Sequence, residues 1–427
     1  MTVPDAARAV DAVWRLESAR IIAGLARIVR DIDLAEDLAQ DALVAALRQW
    51  PESGIPPNPG AWLMATAKHQ AIDRLRRDER LRRNIGQLGH ELEVRQEAAI
   101  VGNAPEFHAV GDDDFVPDDL LRLMFVACHP VLSTESRVAL TLRLLGGLKT
   151  DEIARAFLAA EATIAQRIVR AKRTLASKQV PFEVPPADKR AERMGSVLEV
   201  IYLIFNEGYT ATAGENWARP ELCYEALRIG RMLAELSPAD PEVHGLVALM
   251  EIQSSRLRAR LGPGGEPVPL LEQNRGSWDQ LLIRRGFAAL LRAEGLGGPP
   301  GSYVIQAAIA ACHARARNAQ ETDWTRIAAL YEVLTVIEPT PVVELNRAAA
   351  VAMAFGPARG LELVDRLRSR PELRGYHLLP SVRGDLLAKL GRPAEARAEF
   401  ERAADQTRNA QERSVLLQRA AACPPGP

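Results

Sequence analysis

The chain has 427 residues, 47% hydrophobic and 26% charged, a balance that describes ordinary globular protein with room for two or three separate cores. A formal net charge of −1 excludes a bulk polyanion binder, so any nucleic-acid surface must be local. The four cysteines lie far apart with no CxxC pair, and no apolar run reaches the ~18 residues of a membrane span, which excludes a disulfide framework, a zinc site and a membrane anchor.

Aromatic residues are scarce at 5%, and alanine and leucine dominate, so an all-α fold is expected. The opening "MTVPDAARAVDAVW" lacks a basic start followed by an apolar stretch; it reads as no signal peptide, and a cytoplasmic protein is expected. Residues 10–83 form a first helical block. Within it, "DIDLAEDLAQDALVAALRQW" (31–50) carries five acidic residues in its first eleven positions and none afterwards. Acidic side chains suit a helix N-terminus. Glu36, Asp37, Gln40 and Asp41 also form a polar face opposite Leu34, Leu38 and Ala42, and such a face can dock on a basic protein surface.

"PESGIPPNPG" (51–60), with four prolines and two glycines, is expected to break the helix throughout. Beyond it, Leu63, Ala67, Ala71 and Leu75 make a buried stripe with Trp62 at the helix start. Residues 66–83 hold seven basic side chains against three acidic, among them Lys68, Arg74, Arg76 and Arg77. A solvated charged helix end explains this pattern, and so does a surface where guanidinium groups meet phosphates and an aromatic meets an unstacked base. Residues 84–119 carry nine Asp/Glu against the single Arg95 and read as an acidic, flexible linker.

Helical patterning resumes over 120–178. Cys128 and His129 are adjacent but read as packing residues. In "LTLRLLGGLKTDEIARAFLAAEATIAQRIVRAKRTL" (140–175), Thr150 is placed to cap a helix from Asp151 to about Phe157. A second helix starts near Ala162, with Ile164, Ile168, Ala171 and Leu175 inward and Thr163, Gln166, Arg167, Arg170 and Arg173 outward. Residues 163–178 contain five basic and no acidic residues. This is helix-turn-helix patterning: Gln166 and Arg167 could reach base edges, while Arg170, Lys172 and Arg173 could hold phosphates. A hairpin in an α-solenoid shows the same periodicity, but the one-sided charge favours DNA.

After a second break, "VPFEVPPADKR" (180–190), residues 190–427 form a helical domain. "VLEVIYLIF" reads as a buried helix ended by Asn206 and Gly208 in left-handed conformations. Asn206, Glu207 and Tyr209 are the nearest approach to a polar cluster; they read as an interdomain contact, with a ligand site as the alternative. A 35-residue period links Gly356 to Gly391 and Ala349 to Gly384. Gly384, Ala396, Phe400 and Ala403 occupy the small-and-bulky positions of a tetratricopeptide helix pair, which Tyr331, Pro339, Ala226 and Pro238 fit more loosely. No GxxxxGK[ST], GxGxxG, HExxH or GxSxG pattern is present, so no catalytic activity, metal or cofactor is expected.

The acidic helix, the "AWLMATAKHQAIDRLRRDERLRR" segment and the "LLGGLKTDEIARAF…TIAQRIVRAKRTL" hairpin, in this order and spacing, resemble extracytoplasmic-function sigma factors over about residues 10–178. The remainder, including "IYLIFNEGYTAT" (201–212), resembles the subgroup with a long helical extension. The resemblance implies sigma region 2 over 10–83 and region 4 over 120–178, with RNA polymerase core (β′ clamp helices, β flap) and promoter DNA as partners. By the same resemblance, Asp33, Glu36, Asp37, Gln40 and Asp41 would dock on the clamp helices. Trp62, Lys68, Arg74, Arg76 and Arg77 would meet the −10 element, and Thr163, Gln166, Arg167, Arg170, Lys172 and Arg173 the −35 element. The linker would thread towards the RNA exit path, and the C-terminal domain would regulate or support the other two, alone or with a regulatory protein. A stand-alone helix-turn-helix regulator with a ligand- or protein-sensing repeat domain is the competing expectation. Many relatives have glycine and serine where this hairpin has Leu158 and Ala160, which puts its turn in question.

Overall fold

The computed structural model describes residues 3–93, 117–211, 217–262 and 267–424, and side chains within 3–93 from residue 10 to residue 80 apart from residue 11. Among the described residues there is no strand, and Leu261 pairs with Pro267 in an isolated bridge. The chain divides into two compact units: Met1–Arg155 with Ala159–Val200, and Ala156–Leu158 with Ile201–Pro427.

The first unit opens with α1 (Val3–Val29), α2 (Ile32–Ser53) and α3 (Pro59–Glu93). Asp31 caps α2, its carboxylate accepting from the amides of Asp33 and Leu34 at 2.8 and 3.1 Å. Ala35, Leu38, Ala39, Ala42, Ala46 and Trp50 recur at helical spacing and are buried. Four alanines in that stripe let α1 approach closely through its own Ala19, Ala23 and Ala26.

The expected break at 51–60 is shorter than its composition implied. Pro51 lies in the last turn of α2, and Gly54, at φ +83°, ends the helix with its amide on the Trp50 carbonyl. Pro59 then starts α3, where a missing N–H costs no helical bond. The linker is also shorter than expected, because α3 runs through Glu93 and α4 (Pro117–Ala127) begins at Pro117. Residues 84–93 hold no proline, and two glycines alone do not end a helix. The rest of the expected linker, 94–116, lies outside the described residues. Two of its acids are structural: Asp118 and Asp119 sit in the first turn of α4, and buried Asp119 takes Arg27 Nε and Arg122 Nη1, each at 2.8 Å. Burial raises the Asp119 pKa in spite of both arginines.

α5 (Thr134–Leu144), α6 (Thr150–Ala156) and α7 (Glu161–Ser177) follow, then α8 (Ala187–Tyr209), within which the division between units falls. The expected domain start at 190 lies in the first turn of α8. The first half of α8 packs in the first unit: Arg137 on α5 donates to Ser196 Oγ at 2.6 Å and Glu199 at 3.0 Å, and Arg193 donates to the Phe125 carbonyl at 2.5 Å.

The second unit contains α9 (Pro220–Leu236), α10 (Pro241–Ser254), α11 (Gln280–Gly295), α12 (Ser302–Arg315), α13 (Trp324–Ile337), α14 (Pro341–Phe355), α15 (Pro357–Leu367), α16 (Leu378–Lys389), α17 (Pro393–Gln406) and α18 (Ala410–Ala421). From α12 onward each helix packs on the next, the arrangement of a helical repeat. The 35-residue period has a structural cause. Gly356 and Gly391 both adopt positive φ, +99° and +71°, in the turns before α15 and α17. A Cβ at Gly384 would meet the Phe400 ring at 2.8 Å, and Ala396, Phe400 and Ala403 are buried between α16 and α17. Asn206 and Gly208, however, do not end α8 in left-handed conformations; both are helical and α8 continues to Tyr209. Glycine is needed at 208 for close approach, since a Cβ there would stand 2.7 Å from the Cys223 amide nitrogen.

Candidate nucleic-acid interface

The basic segment of α3 divides as its periodicity implied. Leu63, Ala67 and Ala71 are buried but Leu75, expected in the same stripe, is only half-buried, while Arg74, Arg76 and Arg77 are exposed and Lys68 is half-buried. Arg74 lies 3.6 Å from Asp78, and Arg77 Nε donates to the Asp73 carbonyl at 3.2 Å, which leaves their charge facing solvent. Trp62 is half-buried, held edge-on against buried Trp50 at 5.5 Å between ring centroids. Trp50 thus fixes the ring without covering it.

α7 presents Thr163, Gln166, Arg170 and Arg173 to solvent, with Arg167 half-buried and Ile164, Ile168, Ala171 and Leu175 beneath. The turn before it keeps the helix-turn-helix path without glycine. Leu158 itself is left-handed at φ +48°, and the N-cap is Ala160, extended and with no side-chain cap bond. Thr150 is the first residue of α6 rather than its cap; Glu152 serves instead, its carboxylate accepting from the Lys149 amide at 2.8 Å.

The acidic face of α2 and one member of the basic set are brought together. Glu36 is 3% exposed. Its carboxylate takes Arg143 Nε at 2.5 Å, Lys172 Nζ at 2.6 Å and Gln40 Nε2 at 2.8 Å. Lys172 Nζ also contacts Asp33 at 2.6 Å. So Lys172 does not share the outward face of Arg170 and Arg173. It follows Ile168 by one helical turn, and that spacing rotates it towards α2. Burial lowers the Lys172 pKa, but Glu36 and Asp33 outweigh it and the net shift is upward. Asp37 and Asp41 remain exposed. The Asp37 pKa is raised, first by burial and then by Asp33, against a lowering from Lys172. Arg143 was not among the residues singled out from sequence. Its signal was available: a lone charge inside the apolar run "LTLRLLGG" needs a partner.

In the second unit, Asn206 is half-buried one turn after Tyr202, Glu207 pairs with Arg219, and the Tyr209 hydroxyl accepts from Arg256 Nη2 at 2.6 Å. Buried Cys128 contacts Thr141 Oγ1 at 3.4 Å, and His129 Nδ1 accepts from the Val131 amide, so both are packing residues. Among the described residues no cluster of three metal-ligating side chains occurs, and no helix is long and apolar enough to cross a membrane.

A charged helix-turn-helix beside an aromatic-led basic helix is the architecture of a DNA-binding protein. Residues 15–81 match the model for Sigma-70 region 2, residues 122–175 that for Sigma-70, region 4, and residues 193–294 a family of unknown function (DUF6596). Over 393 residues the chain is 42% identical to an uncharacterized protein of Rhizobium meliloti (strain 1021), covering 92% of this chain and 90% of that one. No solved structure matches. The chain belongs to the sigma-70 family, with regions 2 and 4 paired as in extracytoplasmic-function factors and a helical C-terminal extension. Its sigma domains imply binding to RNA polymerase core and promoter DNA, the role of a non-catalytic regulator of transcription initiation.

Proposed function

We propose that this protein is an extracytoplasmic-function sigma factor that directs core RNA polymerase to one promoter class, with its C-terminal helices modulating that activity. The observation that carries this reading is the outward face of α7, where Thr163, Gln166, Arg170 and Arg173 stand exposed on a scaffold matching region 4. In this reading Gln166 and Arg167 meet base edges of the −35 element and Arg170 and Arg173 its phosphates. Trp62 offers a ring to an unstacked −10 base, and Lys68, Arg74, Arg76 and Arg77 hold the adjoining backbone.

The acidic face, Asp33, Glu36, Asp37, Gln40 and Asp41, serves as the docking surface for the β′ clamp helices. Glu36 and Asp33 are engaged by Arg143 and Lys172 in the free chain, so the clamp helices must displace those cations. Free protein therefore binds duplex DNA weakly, and polymerase opens the first unit as it docks. Lys172 becomes available to phosphate only then.

Transcription reconstituted with core polymerase tests this directly. The full chain should support initiation from a distinct promoter set, and Arg167→Glu or Arg76→Glu should abolish it while leaving the fold intact by circular dichroism. A tight footprint on duplex operator DNA without polymerase would instead identify a stand-alone regulator.

A further inference from the structure

The chemistry at the end of α8 is not used by any of these roles. Arg256 and Arg260 lie one helical turn apart just after α10, and both address Tyr209. Arg260 is 5% exposed; its guanidinium lies 3.3 Å from the Tyr209 ring centroid and 4.2 Å from that of Trp217, and it donates to the Tyr209 carbonyl and to Thr210 Oγ1. Arg256 donates to the Tyr209 hydroxyl. Among the described residues no carboxylate pairs with either arginine. Burial, with Arg256 adding to it, pulls the Arg260 pKa down to about 10.

These side chains line a cavity of about 410 Å³ whose other walls are mainly apolar, from Val268 and Leu270 to Leu378 and Leu416. It is formed where the end of α8 and the segment after α10 face α16 and α18, and Asn409 at the start of α18 also donates to the Ala211 carbonyl at 3.2 Å. The remaining charges on its wall are already engaged. Glu412 takes His377 Nε2 at 3.0 Å and Thr407 Oγ1 at 2.7 Å, and Arg419 is ion-paired with Asp385. Gln273, 8% exposed, is held to the wall by its Nε2, which donates to the Val268 carbonyl at 2.9 Å.

We infer that this cavity binds a small carboxylic acid with an apolar body. Its carboxylate would meet Arg256 against the cation of Arg260, and its body the apolar wall. A volume of this size is that of a small-molecule pocket. An anionic head alone does not account for the apolar wall, and an apolar body alone does not account for two guanidiniums without a carboxylate. Because the site joins the two ends of the helical extension, its occupancy would hold those ends together.

Calorimetric titration of the full chain with octanoate, 1-octanol and inorganic phosphate tests this, independently of any transcription assay. Saturable one-to-one binding of octanoate at millimolar or lower concentration is expected, and the alcohol and phosphate should not saturate. Arg256→Gln should weaken octanoate by about tenfold or more. Ser381→Phe, which fills the cavity from α16, should abolish binding with the circular dichroism spectrum unchanged. Absence of octanoate binding, equal binding of acid and alcohol, equal binding of phosphate, or indifference to both substitutions would each overturn the assignment.

Discussion

Replacing Glu36 by glutamine tests the ion cluster that joins α2 to α5 and α7. The substitution keeps shape and removes one charge, leaving Arg143 Nε and Lys172 Nζ facing a neutral amide. Removing one partner from a fully buried pair costs about 3–5 kcal/mol. Here the Arg143 side chain is 23% exposed, the Lys172 side chain 12%, and Lys172 retains Asp33. A loss of about 2 kcal/mol is therefore expected. Hydrogen exchange by mass spectrometry on the full chain reads this locally. If α7 exchanges by opening away from α2, its protected amides should exchange about 30-fold faster in Glu36→Gln. Asp33→Asn removes the other Lys172 contact, but the Asp33 side chain is 66% exposed, so its effect should be at most about 0.5 kcal/mol, roughly twofold. Exchange of α7 unchanged in Glu36→Gln, or a larger effect from Asp33→Asn, would refute the argument that burial of Glu36 holds this arrangement together.

The turn into α7 yields an engineering prediction: Ala160→Ser supplies the missing cap and should raise stability by about 1 kcal/mol in urea unfolding, since Ala160 already has extended backbone. Asp37→Asn relieves two like-charge pairs four residues apart, with Asp33 and Asp41. It should stabilise the free protein by about 0.4–1 kcal/mol in the same assay while weakening co-purification with core polymerase. A pH dependence follows from His313, 9% exposed, whose pKa burial and then Arg256 and Arg275 lower to about 3. Below the ordinary value of 6.5 the unfolded chain takes a proton that the folded chain refuses, so stability is lost as pH falls from 6.5 towards 3. At pH 5 the loss is about 2 kcal/mol, and His313→Gln should remove that part of the difference between urea midpoints at pH 7 and pH 5.

Much of the fold was legible because it rests on periodicity. Leu63, Ala67 and Ala71 of the expected stripe and the inward set Ile164, Ile168, Ala171, Leu175 are buried as their spacing requires, and only Leu75, near the end of the stripe, is left half-buried. The 35-residue glycine period is legible for a similar local reason, since positive φ at Gly356 and Gly391 leaves a mark in composition. Helix ends were less legible. Pro51, Pro59 and Gly208 are breakers by type, yet each sits where its defect is harmless: in a last turn, in a first turn, or at a close crossing with α9. Long-range pairing was not legible at all. Nothing local to Glu36 states that residues 143 and 172 will neutralise it, because that depends on how α5 and α7 pack on α2.

That pairing changes how the acidic helix should be read. A carboxylate at 3% exposure is a poor advertisement for a docking surface, and under the proposed function the exposed acids Asp37 and Asp41 would offer the first encounter for a cationic partner. Glu36 is held by Arg143 and Lys172, and Lys172 by Glu36 and Asp33, so an external partner of either must displace these contacts. A cluster worth about 2 kcal/mol makes the separated state about 30-fold rarer than it would be without that cluster. Polymerase and promoter together would recover that cost: the core takes the acidic face, DNA takes the released lysine, and each makes the other's binding more favourable. Under this scheme duplex DNA alone gains too little to open the unit, so weak binding by the free chain follows from the ion cluster as well as from the small number of phosphate contacts on α7.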